Sequence, residues 1–220
     1  VDEEDIGMTT VDLTASEVGA KIILTDKLVR QSAENVFSMI GRQLGDGMAR
    51  KKDVDVLALY SGFSTDFGAA GRSMTLANVA SAIAYAKGKK FGSNVYIVQH
   101  PFAVFDIANT AVTASTTYPV PVGWSADLLG NFFSGLRPIN GVPIFEDGNI
   151  SIDSSDDAVG VVADKSALAV LKSVDMNKEQ DRDISLRATE VVITADYGVF
   201  ELDDSKGVAL TLDAGTPASA

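Results

Sequence analysis

The stretch Thr25–Lys52 constrains the fold more than any other part of the chain. Leu28, Val29, Val36, Phe37, Ile40, Leu44 and Met48 recur at helical spacing behind Thr25, a side chain suited to cap a helix start. At 1.5 Å per residue such a helix is about 40 Å long, well beyond the ~10–14 residues usual in globular proteins. A helix of that length crosses a molecule and does not sit inside a small bundle, so other elements must be laid along it. Lys51 and Lys52 at its end suit the helix dipole, whereas Gly41, Gly45 and Gly47 weaken its second half.

What flanks the helix is mixed. Thr9–Leu24 has β character, with Val11 and Leu13 alternating with polar neighbours and Val18, Ile22, Ile23 and Leu24 following a small-residue break. Ser61–Ser73 is a Gly/Ser-rich loop. Thr75 caps a second helix to Lys87 with Gly88 as its stop, burying Leu76, Val79, Ile83 and Tyr85. Asn94–Gln99 is a short buried strand, and Pro101 opens a third helix to Asn109 with Phe102, Phe105, Ile107 and Ala108 inside. Thr110–Asn131 predicts an ordered loop. Gly141–Phe145 and Asn149–Ile152 flank Glu146-Asp147-Gly148 as a hairpin. Ala158–Ala163 is apolar, Asp164–Leu171 reads as a short helix, and Ser185–Ala195, Gly198–Leu202 and Val208–Asp213 read as antiparallel strands with a turn at Asp203–Gly207. The class is α+β.

Composition excludes several chemistries. With 220 residues, 46% hydrophobic and 22% charged, the chain can bury a core without staples. Cysteine is absent, which removes disulfides, thiolate metal sites and cysteine nucleophiles. No apolar run approaches the ~20 residues that span a bilayer. The sequence starts Val-Asp-Glu-Glu-Asp with no initiator Met, so a processed or incompletely shown beginning is expected. The net charge of −12 argues against general polyanion binding, but it is unevenly spread. Lys21–Lys90 holds 11 bases and 6 acids, while the remainder holds 7 bases and 24 acids. Val1–Ala20 and Ile144–Asp164 each carry six acids and no base, and such runs serve as solvated faces or as surfaces that meet partners.

The chemical motifs are sparse. His100, the single histidine, precedes Pro101 at a strand–helix junction and reads as a capping or structural residue. Gly62-Phe-Ser64-Thr-Asp66 lacks the second glycine of a nucleophile elbow. Gly68-Ala-Ala-Gly71-Arg72-Ser73 fits neither phosphate-binding glycine pattern. Asp153-Ser-Ser-Asp156-Asp157 offers oxygen ligands without the spacing of a calcium loop, so a solvated turn is expected. Lys87, Lys89 and Lys90 around Phe91 make a poor stacking platform, and Trp124 among Pro119, Pro121 and Gly123 reads as a loop anchor or interface residue. No catalytic, cofactor-binding or metal-binding residue is assigned. One overlong helix, an extended ribbon and segregated charge suggest a subunit of an assembly.

Three stretches in order resemble the major capsid proteins of tailed double-stranded DNA bacteriophages, whose Hong Kong 97-type fold is shared with encapsulin shells. Met8–Asp26 resembles the return strand of that family's extended loop, running into the spine helix. Asn94–Asp106 is similar to the strand, His-Pro and helix of its axial domain. Glu190–Asp213, with its Tyr197-Gly198 and Gly207-Val208, resembles the closing strands of its peripheral domain. The resemblance implies an extended loop at 1–24, a peripheral spine helix at 25–60, an axial domain at 61–165 and peripheral closing strands at 166–220. It also implies an N-terminal arm and an outgoing strand ahead of the first residue here, absent from the sequence or removed in maturation. No residue matches the family's crosslinking chemistry.

The implied function is a non-enzymatic shell subunit that forms hexamers and pentamers of an icosahedral virion around double-stranded DNA bound without sequence specificity. It is assembled in the host cytoplasm with no membrane partner and no cofactor, and portal, scaffolding and cement or decoration proteins are further partners. The charge pattern places the acidic ribbon Val1–Ala20 on a neighbour's basic segment near Arg42, Arg50, Lys51 and Lys52. The alternatives are an encapsulin-like nanocompartment, a small enzyme using a metal at Asp153, Asp156 and Asp157, and a monomeric binding module.

Overall fold

The computed structural model describes residues 13–32, 35–112 and 141–217. They fall into two units, one within Val1–Met48 and Val170–Phe200, the other within Ala49–Ala169 and Glu201–Ala220.

The first unit holds a three-stranded sheet in the order β1 (Ser16–Thr25), β6 (Ala188–Glu201), β5 (Leu168–Asp183). β1 and β6 are antiparallel, in register from Ser16 opposite Tyr197 to Thr25 opposite Ala188. Alternation sends Val191, Ile193, Ala195 and Tyr197 to one face, where they meet Val36, Ile40, Leu44 and Met48. Those four helix residues repeat every fourth position, a ridge that stays on one side of a helix. The Thr25 hydroxyl accepts from the Leu28 N–H, as its position predicts.

The expected single helix is two. α1 (Asp26–Gln31) ends where Ser32 turns extended, and α2 runs Val36–Ala58, beyond the predicted stop at Lys52. A second cap explains the restart, since the Asn35 side chain accepts from the Ser38 N–H at 3.3 Å. Past Lys52, Lys51 pairs with Asp55 one turn on, and Leu57 anchors the last turn in a core.

The second unit is built on a sheet in the order β3 (Ile144–Glu146), β2 (Val95–Gln99), β4 (Asp157–Asp164), β7 (Gly207–Asp213). β2 is parallel to β3 and antiparallel to β4, and β4 is antiparallel to β7. β7, grouped with the peripheral strands by the resemblance, therefore shares this sheet. α3 (Leu76–Gly88) and α4 (Pro101–Val112) contribute Val79, Ile83, Val104 and Ile107 to the same core as Ile97, Val161 and Leu210. Gly160 lies so close to β2 that a Cβ there would meet Val98 O and Gln99 Oε1 at 2.5 Å.

Four other expectations are corrected. Phe105 is 48% exposed; α4 is apolar on most sides, so periodicity could not pick its inner face. The 141–152 region is not a hairpin: β3 joins β2, Asp147 N–H donates to Gln99 O at 3.1 Å, and Ile152 bridges to Ala158. Asp164–Leu171 is not a helix, because the Asp164 carboxylate takes the Ser166 N–H and hydroxyl in a tight turn that leads into β5. β6 runs unbroken through Gly198, where a Cβ would meet the Phe200 ring at 2.6 Å, so that glycine serves close packing and ends no strand. Of the expected loop, Thr110–Val112 belong to α4; the rest lies outside the described residues, as does Trp124.

Candidate interface surfaces

The residues singled out for chemistry serve the fold. His100 is the N-cap of α4, with Nδ1 accepting from the Phe102 N–H at 3.2 Å and Pro101 in the first helical position. Its ring lies edge-on to Phe102 at 4.8 Å, and burial pushes its pKa below the usual imidazole value against the opposing charge of Asp147. The fully buried Gln99 beneath it accepts from the His100 N–H at 2.9 Å and donates to Leu210 O at 3.1 Å.

Ser64 gives its N–H and hydroxyl to the Asp204 carboxylate; these bonds, the hydroxyl's first, hold Asp204 below the usual carboxylate range. In the glycine loop, Gly71 donates its N–H to Asp157 Oδ1 at 2.6 Å, so an internal carboxylate already occupies the place an anion would take. Asp153 Oδ1 accepts from the N–H groups of Ser155 and Asp157, an Asx turn, and Asp156 takes a positive φ of 63°. Among the described residues no group of three or more His, Asp or Glu side chains converges on a metal position. Phe91 is buried in the core edge-on to Tyr85, which removes it as a stacking platform. No described helix is long and apolar enough to cross a membrane.

What remains is surface. In the first unit, one sheet face is covered by α2 and the other is open, carrying the Lys21–Glu190 ion pair at 2.7 Å and Ile23 at 47% exposure. At the tip of the β5–β6 connection, Ile184 is 83% exposed beside an open cleft of about 360 Å³ lined by Asp181, Arg182, Asp183, Ser185 and Glu190. Asp183 is held below the usual carboxylate range by the Ser185 hydroxyl and the Leu186 and Ser185 N–H groups, which fixes the turn. A shallower cleft of about 430 Å³ runs along α2 past Asn35, Met39, Arg42 and Asp46. Arg42 and Arg50 stand exposed on α2, Lys51 pairs with Asp55, and Lys52 is half-buried. These are open, mixed-polarity surfaces suited to protein contact. The sequence reading found the α2 bases but missed β5, whose only local signal is the alternating sign of its charges.

No family model matches the chain, and no curated protein matches it in sequence. Solved structures do. A Mycobacterium phage Che8 structure superposes with a TM-score of 0.78 at 17% identity, covering 96% of this chain and 76% of that one. The capsid of Ralstonia phage GP4 gives 0.73 at 12% identity, covering 100% and 82%. The chain has the Hong Kong 97-type capsid fold. That fold is not confined to phage heads: the holo-SrpI encapsulin complex from Synechococcus elongatus matches with a TM-score of 0.67 at 9% identity, covering 94% of this chain and 77% of that one. α2, Val36–Ala58, is the long helix of this fold, where the sequence predicted one helix over Thr25–Lys52.

Proposed function

We propose that the chain is a shell-forming major capsid protein, assembling as hexamers and pentamers into an icosahedral virion head that encloses double-stranded DNA. The observation that carries this reading is the match of the whole fold, over 96% of the chain, to a phage structure. The surfaces support it, because the described polar clusters serve caps and turns while the open sheet face, the hairpin tip and Arg42 and Arg50 stand exposed.

In this reading the first unit is the peripheral domain with its return strand β1, and the second is the axial domain, which β7 joins through β4. Of the acidic stretch Val1–Ala20, residues 1–12 lie outside the described residues and Ser16–Ala20 pairs with β6 of its own copy. The acids ahead of β1 are assigned to a neighbour's α2, where Arg42 and Arg50 lead the contact. They stand eight residues apart, about 12 Å along the axis. Opposite fields fix register and partner choice more than raw affinity. Reversing Arg50, Lys51 and Lys52 to Glu abolishes assembly or shifts its salt dependence; unchanged assembly would show that the ribbon binds elsewhere. The acidic remainder of the surface limits sticking of packaged DNA to the wall. Portal, scaffolding and cement proteins are the further partners of such a head, and assembly takes place in the host cytoplasm.

An encapsulin-like compartment is the second reading, favoured by the likeness to the SrpI complex. Electron microscopy of purified particles separates the two. A shell with a tail vertex and nuclease-protected DNA supports the virion, and a shell with protein cargo and no DNA supports the compartment. A monomer would overturn both.

A further inference from the structure

β5 carries its charges by face. Lys172, Val174, Met176 and Lys178 fall on one side of the strand, and Asp175, Glu179 and Asp181 on the other. From 170 to 182, the even positions hold no acid and the odd positions no base. At the far end of the strand Arg182 reaches Asp26 of α1 at 3.0 Å, and Asp181 and Arg182 both line the cleft with Glu190. β5 is an outer strand of its sheet, exposed almost throughout, and Val174 and Met176 are each about half exposed.

The two faces of one strand cannot meet each other within a copy, so a basic face of β5 can meet an acidic face of β5 only across copies. A two-fold contact would set like against like, basic on basic or acidic on acidic, which is repulsive. A head-to-tail contact sets opposite signs together and repeats around a ring. We infer that the basic, apolar face of β5 binds the acidic face of β5 in a second copy of this chain, with Val174 and Met176 desolvated at its centre. This rests on the shell reading above and names one contact within it. If the charges served only to keep an open strand edge from pairing promiscuously, their arrangement by face would not matter to assembly.

The test uses three variants of the full chain. One reverses the basic face (Lys172→Glu, Lys178→Glu), one the acidic face (Asp175→Lys, Glu179→Lys, Asp181→Lys), and one reverses both. All five side chains are exposed, and circular dichroism and Tm check that each variant folds. Particle yield by light scattering and microscopy is expected to fall at least tenfold in either single-face variant and to recover in the double reversal. The two single-face chains, one acidic on both sides and one basic on both, are expected to form mixed even-numbered oligomers when combined. Single-face variants that assemble like the wild type would overturn the contact, as would a double reversal no better than its parents, since each face would then meet something else. Where a reversal lowers Tm, the neutral pair Lys172→Gln, Lys178→Gln decides: particle yield must become less sensitive to salt, and an unchanged salt dependence counts against the contact. Failure of the wild-type chain itself to form particles would strike the shell reading and not this contact alone.

Discussion

β4 and β5 follow each other in the chain with a three-residue turn between them, yet they live in opposite environments. β4 is buried at seven of its eight positions, flanked by β2 and β7, and its one half-open residue is Val159. β5 has no buried residue in sixteen and lies at the edge of its sheet. β4 draws its stability from apolar area removed from water, roughly 25 cal/mol per Å²; β5 has little such area within its own copy and is held by backbone pairing to β6. A strand built like β4 makes a domain. One built like β5 leaves its side chains exposed.

The largest expected effect tests that contrast directly. Ile97→Ala, in the strand beside β4 and fully buried, is expected to lower unfolding free energy by about 3–4 kcal/mol, while Met176→Ala on β5 costs under about 0.5 kcal/mol in the unassembled subunit. Chemical denaturation of both variants checks this, and comparable losses would break the contrast. Asp164, the last residue of β4, comes next. The Ser166 hydroxyl, then backbone N–H groups and Lys206, hold its carboxyl below the usual range against the opposing effect of burial. A carboxyl depressed in the folded state contributes stability above its unfolded value of about 4 and loses it as pH falls through the folded value. Asp164→Asn should therefore cost about 1–2 kcal/mol at pH 7 and less at pH 3, seen in Tm against pH.

In the other unit, Gly47 sits inside α2 with open space where a Cβ would point. Gly47→Ala is expected to stabilise the subunit by about 1 kcal/mol; a loss would mean that the helix backbone is already in close contact there. The smallest effect concerns His100. Its folded pKa is lowered by burial, so the unfolded chain binds its proton first, and stability falls as pH drops below about 6.5. His100→Asn keeps a capping acceptor and is expected to flatten that limb by under about 1 kcal/mol. An unchanged pH profile between 7 and 5 would place the titration elsewhere.

These cases also show why some of the structure was readable in advance. Thr25, Thr75 and the His100-Pro101 junction lie next to the apolar period they start, so their signals are local, and each caps as expected. The turn at Asp203–Gly207 and the alternation of β7 were legible for the same reason. The strand at Gly141–Phe145 was legible as β3 but its partner was not, because it pairs with β2 across a long stretch of chain and nothing near Ile144 says so. β5 escaped because Asp175–Asp183 has only one apolar residue, Met176, to carry a period. The interface candidates were half visible: the α2 bases stand out in the charge count, whereas a strand polarised by face cancels to near neutrality in any window.

Particle mass tests the central claim most directly. Purified chain, brought to assembly conditions and weighed by analytical ultracentrifugation or mass photometry, is predicted to form closed shells of uniform diameter weighing tens to hundreds of times the 23.1 kDa chain. A species that stays at 23.1 kDa across concentration and salt would contradict it.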